Sequence, residues 1–147
     1  MPLVLQPPIL TMLLVAAAWL FHVFWGPWET MLRMPFFGFV LMVLGFCFMM
    51  WARLQFTSRK TTLFVGRRSS QLVCDGPFRI SRNPMYVGVL VSLVGLALWI
   101  GTLPLYLTVP IAFLFFNFFH IPHEERMLRE SFSEQYRTYS NAVRRWV

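Results

Sequence analysis

The chain has 147 residues, of which 57% are hydrophobic and only 13% charged; soluble domains carry about 25% charged residues, so a water-soluble globular fold is excluded and the length suits one membrane domain. The formal net charge of +7 lies between and after the apolar runs. That placement suits anionic lipid headgroups and excludes the solvated basic face of a nucleic-acid-binding domain.

Four apolar segments follow in order, about Ile9–Trp25, Pro35–Leu54, Met85–Ile100 and Leu105–Phe119. They predict an all-α integral membrane protein with about four transmembrane helices. The expected layout is a single domain over 1–147: two spans in 1–54, a basic loop 55–83, a helical hairpin 84–119 and a C-terminal helix 120–147. A helix rises about 1.5 Å per residue against a hydrocarbon core of about 30 Å. The first two segments reach across, whereas the last two are short and need tilt, flanking residues or a thinned bilayer.

The first segment lacks a basic leader region and a small-residue cleavage site, so it reads as a retained span. His22, near Trp25 and Trp28, reads as a packed interfacial residue. Cys47 reads as a small residue within the second segment and Cys74 as a reduced loop thiol, and the two form no metal or disulfide spacing. The loop carries Arg59, Lys60, Arg67, Arg68, Arg79 and Arg82, the tail carries Arg126, Arg129, Arg137, Arg144 and Arg145, and Arg53 closes the second segment beside them. Only Arg33 falls on the other side, so the bias of Lys and Arg predicts a multi-pass protein with both termini and the long loop in the cytoplasm, in a bacterial inner membrane.

In the third segment Gly88, Ser92 and Gly95 form a small-residue stripe. Ser92 and Gly95 are expected to pack against the fourth segment, joined through the tight uncharged connection 101–104. Pro110 is expected to kink the fourth segment. Asn117, near its end, reads as an interhelical hydrogen bond or as a pocket residue contacting substrate. Beyond Pro122, the residues Glu125, Leu128, Phe132, Tyr136, Tyr139, Val143 and Trp146 recur at spacings of three and four. That pattern predicts an amphipathic helix that lies on the membrane surface or caps the hairpin mouth.

Two polar clusters flank the hairpin. In the first, Arg82-Asn83-Pro84-Met85-Tyr86-Val87-Gly88, Pro84 suits a first helical turn and Asn83 an N-cap. Helix capping accounts for those two but less well for Tyr86 and Gly88. The free N–H groups of a helix start also suit an anionic ligand group. In the second, Glu124-Glu125 either complements a helix dipole or holds a ligand ammonium. His120, His123 and Glu124 do not have the His-Glu-x-x-His spacing of zinc proteases, so no metal is expected. Phosphate-binding glycine loops, nucleophile elbows and dinucleotide fingerprints are absent from the sequence.

The ordered pair of motifs resembles a known family. Ser81-Arg82-Asn83-Pro84-Met85-Tyr86-Val87-Gly88, then Glu124-Glu125-Arg126-Met127-Leu128 and Phe132-Ser133-Glu134-Gln135-Tyr136-Arg137-Thr138-Tyr139, ending in Arg144-Arg145-Trp146, is similar to the isoprenylcysteine carboxyl methyltransferases and the related phospholipid N-methyltransferases. The resemblance covers roughly 72–147. It implies an S-adenosylmethionine-dependent methyltransferase whose cofactor pocket lies between the last two spans and the tail, with a lipophilic acceptor arriving from the bilayer. Carried over, Arg82, Asn83, Pro84, Tyr86, Gly88, Glu124 and Glu125 line the cofactor site, and Tyr136 and Tyr139 close it. Arg82 and Glu125 carry the catalytic roles, and His120 and Asn117 stand on the substrate side. Two departures are visible: Asn83 replaces a frequent His, and Ser133 replaces the Gly of Phe-Gly-x-x-Tyr, which predicts a straighter tail. An arginine that some eukaryotic carboxyl methyltransferases carry near His120 is missing, which weakens a prenylcysteine carboxylate as acceptor.

In that reading Arg82 and the helix start take the cofactor carboxylate, Glu124 or Glu125 the ammonium, and Tyr86 with nearby Phe rings faces the sulfonium. A carboxylate acceptor needs no base. An amine must lose a proton, for which Glu125 or His120 is available. The alternatives are a membrane reductase using NADPH, which needs a longer helical scaffold, and a non-enzymatic membrane subunit in which the motifs only cap helices.

Overall fold

The computed structural model describes residues 7–26, 32–58 and 72–147. The loop arginines Arg59, Arg67 and Arg68, with Lys60 and Trp28, lie outside the described residues. Helix α1 runs Pro7–Trp25, α2 Pro35–Ser58, α3 Pro84–Ile100, α4 Leu103–Phe115 and α5 Ile121–Ala142, with a π-helical turn Phe116–His120 between the last two. A 3₁₀ turn, Gly76–Arg79, precedes α3. The protein is an all-α membrane protein: among the described residues three helical stretches are long and apolar enough to cross a bilayer, and α3 is a shorter apolar helix.

The neighbours of α3 follow from small residues. A Cβ on Gly45 of α2 would lie 2.6 Å from the Ser92 amide nitrogen, and one on Gly88 would lie 2.7 Å from Gly45 O. Gly38 faces Gly95 and Trp99 in the same way. Glycines seven residues apart on each helix therefore let the two backbones touch, and Ser92 Oγ adds a 3.2 Å bond to Met42 O. The stripe expected to face the fourth segment instead faces α2. The correction has a plain cause: α2 supplies matching glycines, and α4 does not.

The pairing 38 with 95–99 and 45 with 88–92 makes α2 and α3 antiparallel. Gly101, at φ +80°, closes α3 by donating its amide to Ala97 O, and α4 begins two residues later. On α1, Ala18 packs near Leu105 while Leu10 and Leu14 lie in the cluster of Ala112 and Phe116, so α1 is antiparallel to α4. The start of α1, the end of α2, the start of α3 and the end of α4 thus share one end of the bundle. Arg33 lies at the other, over Gly101.

Helix α4 does not stop at the bundle end. Pro122 has no N–H to bond four residues back, and the Ile121 amide donates instead to Phe116 O, five residues back. The π turn absorbs the proline, and α5 continues as helix. Its inward face covers the bundle mouth: Tyr136 and Tyr139, with Leu128 and Phe132, pack on Ala52, Val73 and Phe78. Capping is the observed arrangement of the two foreseen. The expected straight tail is corrected, because Ser133 takes φ +29°, ψ −100° and kinks α5. The bend brings Tyr136 and Tyr139 down onto the cap.

Candidate functional site

The polar residues of both motifs meet at this capped mouth. Chain 72–86 crosses beneath α5, and between them lies an open cleft lined by Arg82, Asn83, Tyr86, Glu124, Glu125, Tyr136 and Tyr139 as polar and aromatic groups, with Leu72, Val73, Phe78, Pro84, Met85 and Leu128 as apolar wall. Eight of the nine residues expected at a cofactor site border it. Gly88 does not; it is spent on the contact with Gly45 and Met49 of α2.

The two adjacent carboxylates have different surroundings. Glu125 is 4% exposed and accepts a two-pronged bond from Arg145, Nε at 3.1 Å and Nη2 at 2.8 Å. Arg82 stands at 3.4 Å and Arg129, one helical turn on, at 3.5 Å. Three guanidiniums around one carboxylate leave local positive charge in a partly desolvated place, which favours a second anion. Glu124 accepts a 2.8 Å bond from the Tyr86 hydroxyl. Burial pushes its carboxyl up to about 7, against a smaller downward pull from Tyr86.

Arg82 also reaches the Tyr136 hydroxyl at 3.4 Å. The Tyr139 hydroxyl donates to Phe78 O at 2.8 Å. Burial raises both phenols, so each stays neutral. Asn83 occupies the N-cap position but makes no capping bond; its side-chain amide donates to Arg145 O at 2.9 Å. The capping expectation is corrected for the side chain, while Pro84 does begin the helix.

The two residues expected on the substrate side lie elsewhere. His120 is buried behind Tyr86, its ring 6.3 Å away, against Phe115 and Phe116. Asn117 accepts a 3.1 Å bond from Trp146 Nε1. Neither borders the cleft. His123 is exposed, and among the described residues no group of three His, Cys, Asp or Glu is placed to hold a metal ion. Sequence reasoning counted Arg129 and Arg145 in the basic tail, and Arg145 in the end of the second motif, but gave neither a contact with Glu125. Arg129 was detectable, four residues from Glu125 on one helical face. Arg145 was not, because its approach depends on the chain turning back after Ala142.

A bundle of apolar helices with a capped, charged cleft at one mouth defines an integral membrane protein with a polar cleft at one end of its bundle. Residues 34–135 match the family model described as phospholipid methyltransferase, and the chain belongs to that family. It is also 40% identical over 63 residues to an uncharacterized protein of Haemophilus influenzae, a match that covers 43% of this chain and all of that one. No solved structure matches.

Proposed function

We propose that the protein transfers a methyl group from S-adenosylmethionine to a lipophilic acceptor that reaches the cleft from the bilayer. The observation that carries this reading is the split pair Glu124 and Glu125. One acid is fixed among Arg82, Arg129 and Arg145, and its neighbour accepts a bond from the neutral hydroxyl of Tyr86. A ligand with both a carboxylate and an ammonium matches that division. The arginines receive the carboxylate and Glu124 the ammonium, while Tyr86 and Tyr136 offer aromatic walls to a cation. S-adenosylmethionine has both groups, and when bound it supplies an electrophilic methyl carbon on a sulfonium.

The protein's own work is to bind, to align and to exclude water. Methyl transfer needs the acceptor atom in line, about 3–3.5 Å from the methyl carbon, and the apolar wall of Leu72, Val73, Met85 and Leu128 keeps that approach dry. The family description favours a lipid acceptor. A lipid amine would first give up a proton to a base, a role that Glu124 does not fill while its carboxylate holds the cofactor ammonium; a prenylcysteine-like carboxylate would need no such step. The excess of arginine at the cleft end supports a cytoplasmic orientation of that end, and a bacterial inner membrane is part of the same proposal.

Calorimetric titration of S-adenosylhomocysteine into detergent-purified protein, with NADPH as comparison ligand, tests the reading. Binding should be micromolar and specific, and should fall at least tenfold in Arg82→Ala and Glu124→Gln, the cost of a lost charge-assisted bond. Folded protein that binds neither ligand would return the motifs to helix capping in a structural subunit. Binding of NADPH alone would favour the reductase.

A further inference from the structure

The residues that follow α5 do not line the cleft, yet they bond to four residues that do, Arg82, Asn83, Glu125 and Tyr139. Val143 turns extended, and its amide closes α5 on Tyr139 O at 3.0 Å. Arg144 O then accepts the Arg82 amide at 3.0 Å. Arg145 O accepts both Ser81 Oγ at 3.2 Å and Asn83 Nδ2 at 2.9 Å. The Arg145 guanidinium clamps Glu125. Trp146 fastens the end, with Nε1 bonded to Asn117 and its ring 5.0 Å from Phe113. In four residues the chain ties the segment before α3, the acid of α5, the π turn and α4 to one another.

We propose that residues 143–146 form a strap whose docking is thermodynamically coupled to cofactor binding, and that Asn117 and Trp146 are positioning residues for the cleft. The coupling rests on the cofactor reading above. Arg82 and Asn83 sit in non-helical chain, and the strap's carbonyls accept the Arg82 amide and the Asn83 side chain. With the strap undocked those donors lose their partners, and Glu125 loses its two-pronged clamp. A ligand that holds Arg82 and the Arg145–Glu125 pair in place must then favour the docked strap, and by reciprocity the docked strap must favour the ligand. Asn117, expected on the substrate side, acts instead as the strap's far anchor, with no contact to the cleft.

The test uses the full-length protein in detergent. Asn117→Ala and Trp146→Ala should each weaken S-adenosylhomocysteine binding by about tenfold, the usual scale of coupling between sites, with Trp146→Phe in between because it keeps the ring and loses the N–H. The double variant should be no weaker than either single one, since both undo one fastening. Hydrogen exchange at the Arg82 amide should be faster in the variants and slower with ligand in the wild type, a change that a general loss of stability would not confine to that amide. Unchanged affinity in folded single variants, additive losses, or exchange at Arg82 indifferent to ligand would each overturn the strap while leaving the cofactor reading intact. Wild-type protein that binds no S-adenosylhomocysteine would overturn the cofactor reading, and the coupling with it.

Discussion

Glu124 and Ser133 show how far single residues constrain this site. Burial raises the Glu124 carboxyl to about 7, so the folded protein holds its proton more tightly than the unfolded chain. That contribution to stability is full below about pH 4.5 and is lost as pH rises through 7. Glu124→Gln should therefore flatten the decline in thermal stability between pH 5 and 8. An ammonium ligand has the opposite preference, because it needs the ionised acid. S-adenosylhomocysteine affinity should climb by up to tenfold per unit below pH 7 and level off above it; a flat profile in the wild type would remove Glu124 from the ammonium role. Ser133 sits at a positive φ that glycine adopts freely. Ser133→Gly should raise stability by about 1–2 kcal/mol, measured as thermal unfolding in detergent, and a destabilised variant would remove the strain argument. The sequence showed both motifs because their chemistry is local: acids, arginines and a proline at a helix start. It hid the strain at Ser133, since a serine inside a helical pattern carries no sign that the backbone must bend there. It also hid the difference between Glu124 and Glu125, which depends on an arginine twenty residues away turning back.

Among the elements, apolar length located α1 to α4 to within a few residues, because a bilayer demands it, while α5 was legible from the spacing of its apolar residues. Partners were harder to read. The stripe Gly88, Ser92, Gly95 announced a close helix contact but not whose, and α2's own glycines, Gly38 and Gly45, decide it. Gly88→Val should cost on the order of 3 kcal/mol by forcing α2 and α3 apart. It should lower the yield of folded protein, while the fraction that folds keeps its affinity for S-adenosylhomocysteine. A variant that folds well and binds poorly would place Gly88 in the cleft after all. The π turn was unreadable for a different reason. Pro122 signals a disruption, but only the backbone shows that the helix yields by a wider turn and does not end.

At the scale of the whole molecule, antiparallel packing collects the start of α1, the end of α2, the start of α3 and the cap at one end, where every described basic residue but Arg33 also lies. The charge bias alone led to the same grouping. The membrane half and the cap half of the site are nevertheless joined through one helical rod that runs from Leu103 to the kink at Ser133. In such a rod the angular phase of every later residue depends on how many precede it, about 100° for each. The wide turn at Phe116–His120 is a phase shifter: it sets the azimuth at which Glu124 and Glu125 emerge above the bilayer. Pro122→Ala, which restores an N–H able to bond four residues back, should let the turn tighten to ordinary pitch with its residue count unchanged and swing both acids about 100° around the axis, away from Tyr86 and Arg82. Such a protein would keep its spans and lose ligand binding, and deleting the exposed Phe119 in that variant should remove the surplus residue and bring binding back. The alignment of this membrane site is thus a matter of counting, fixed by a single surplus residue at the waterline.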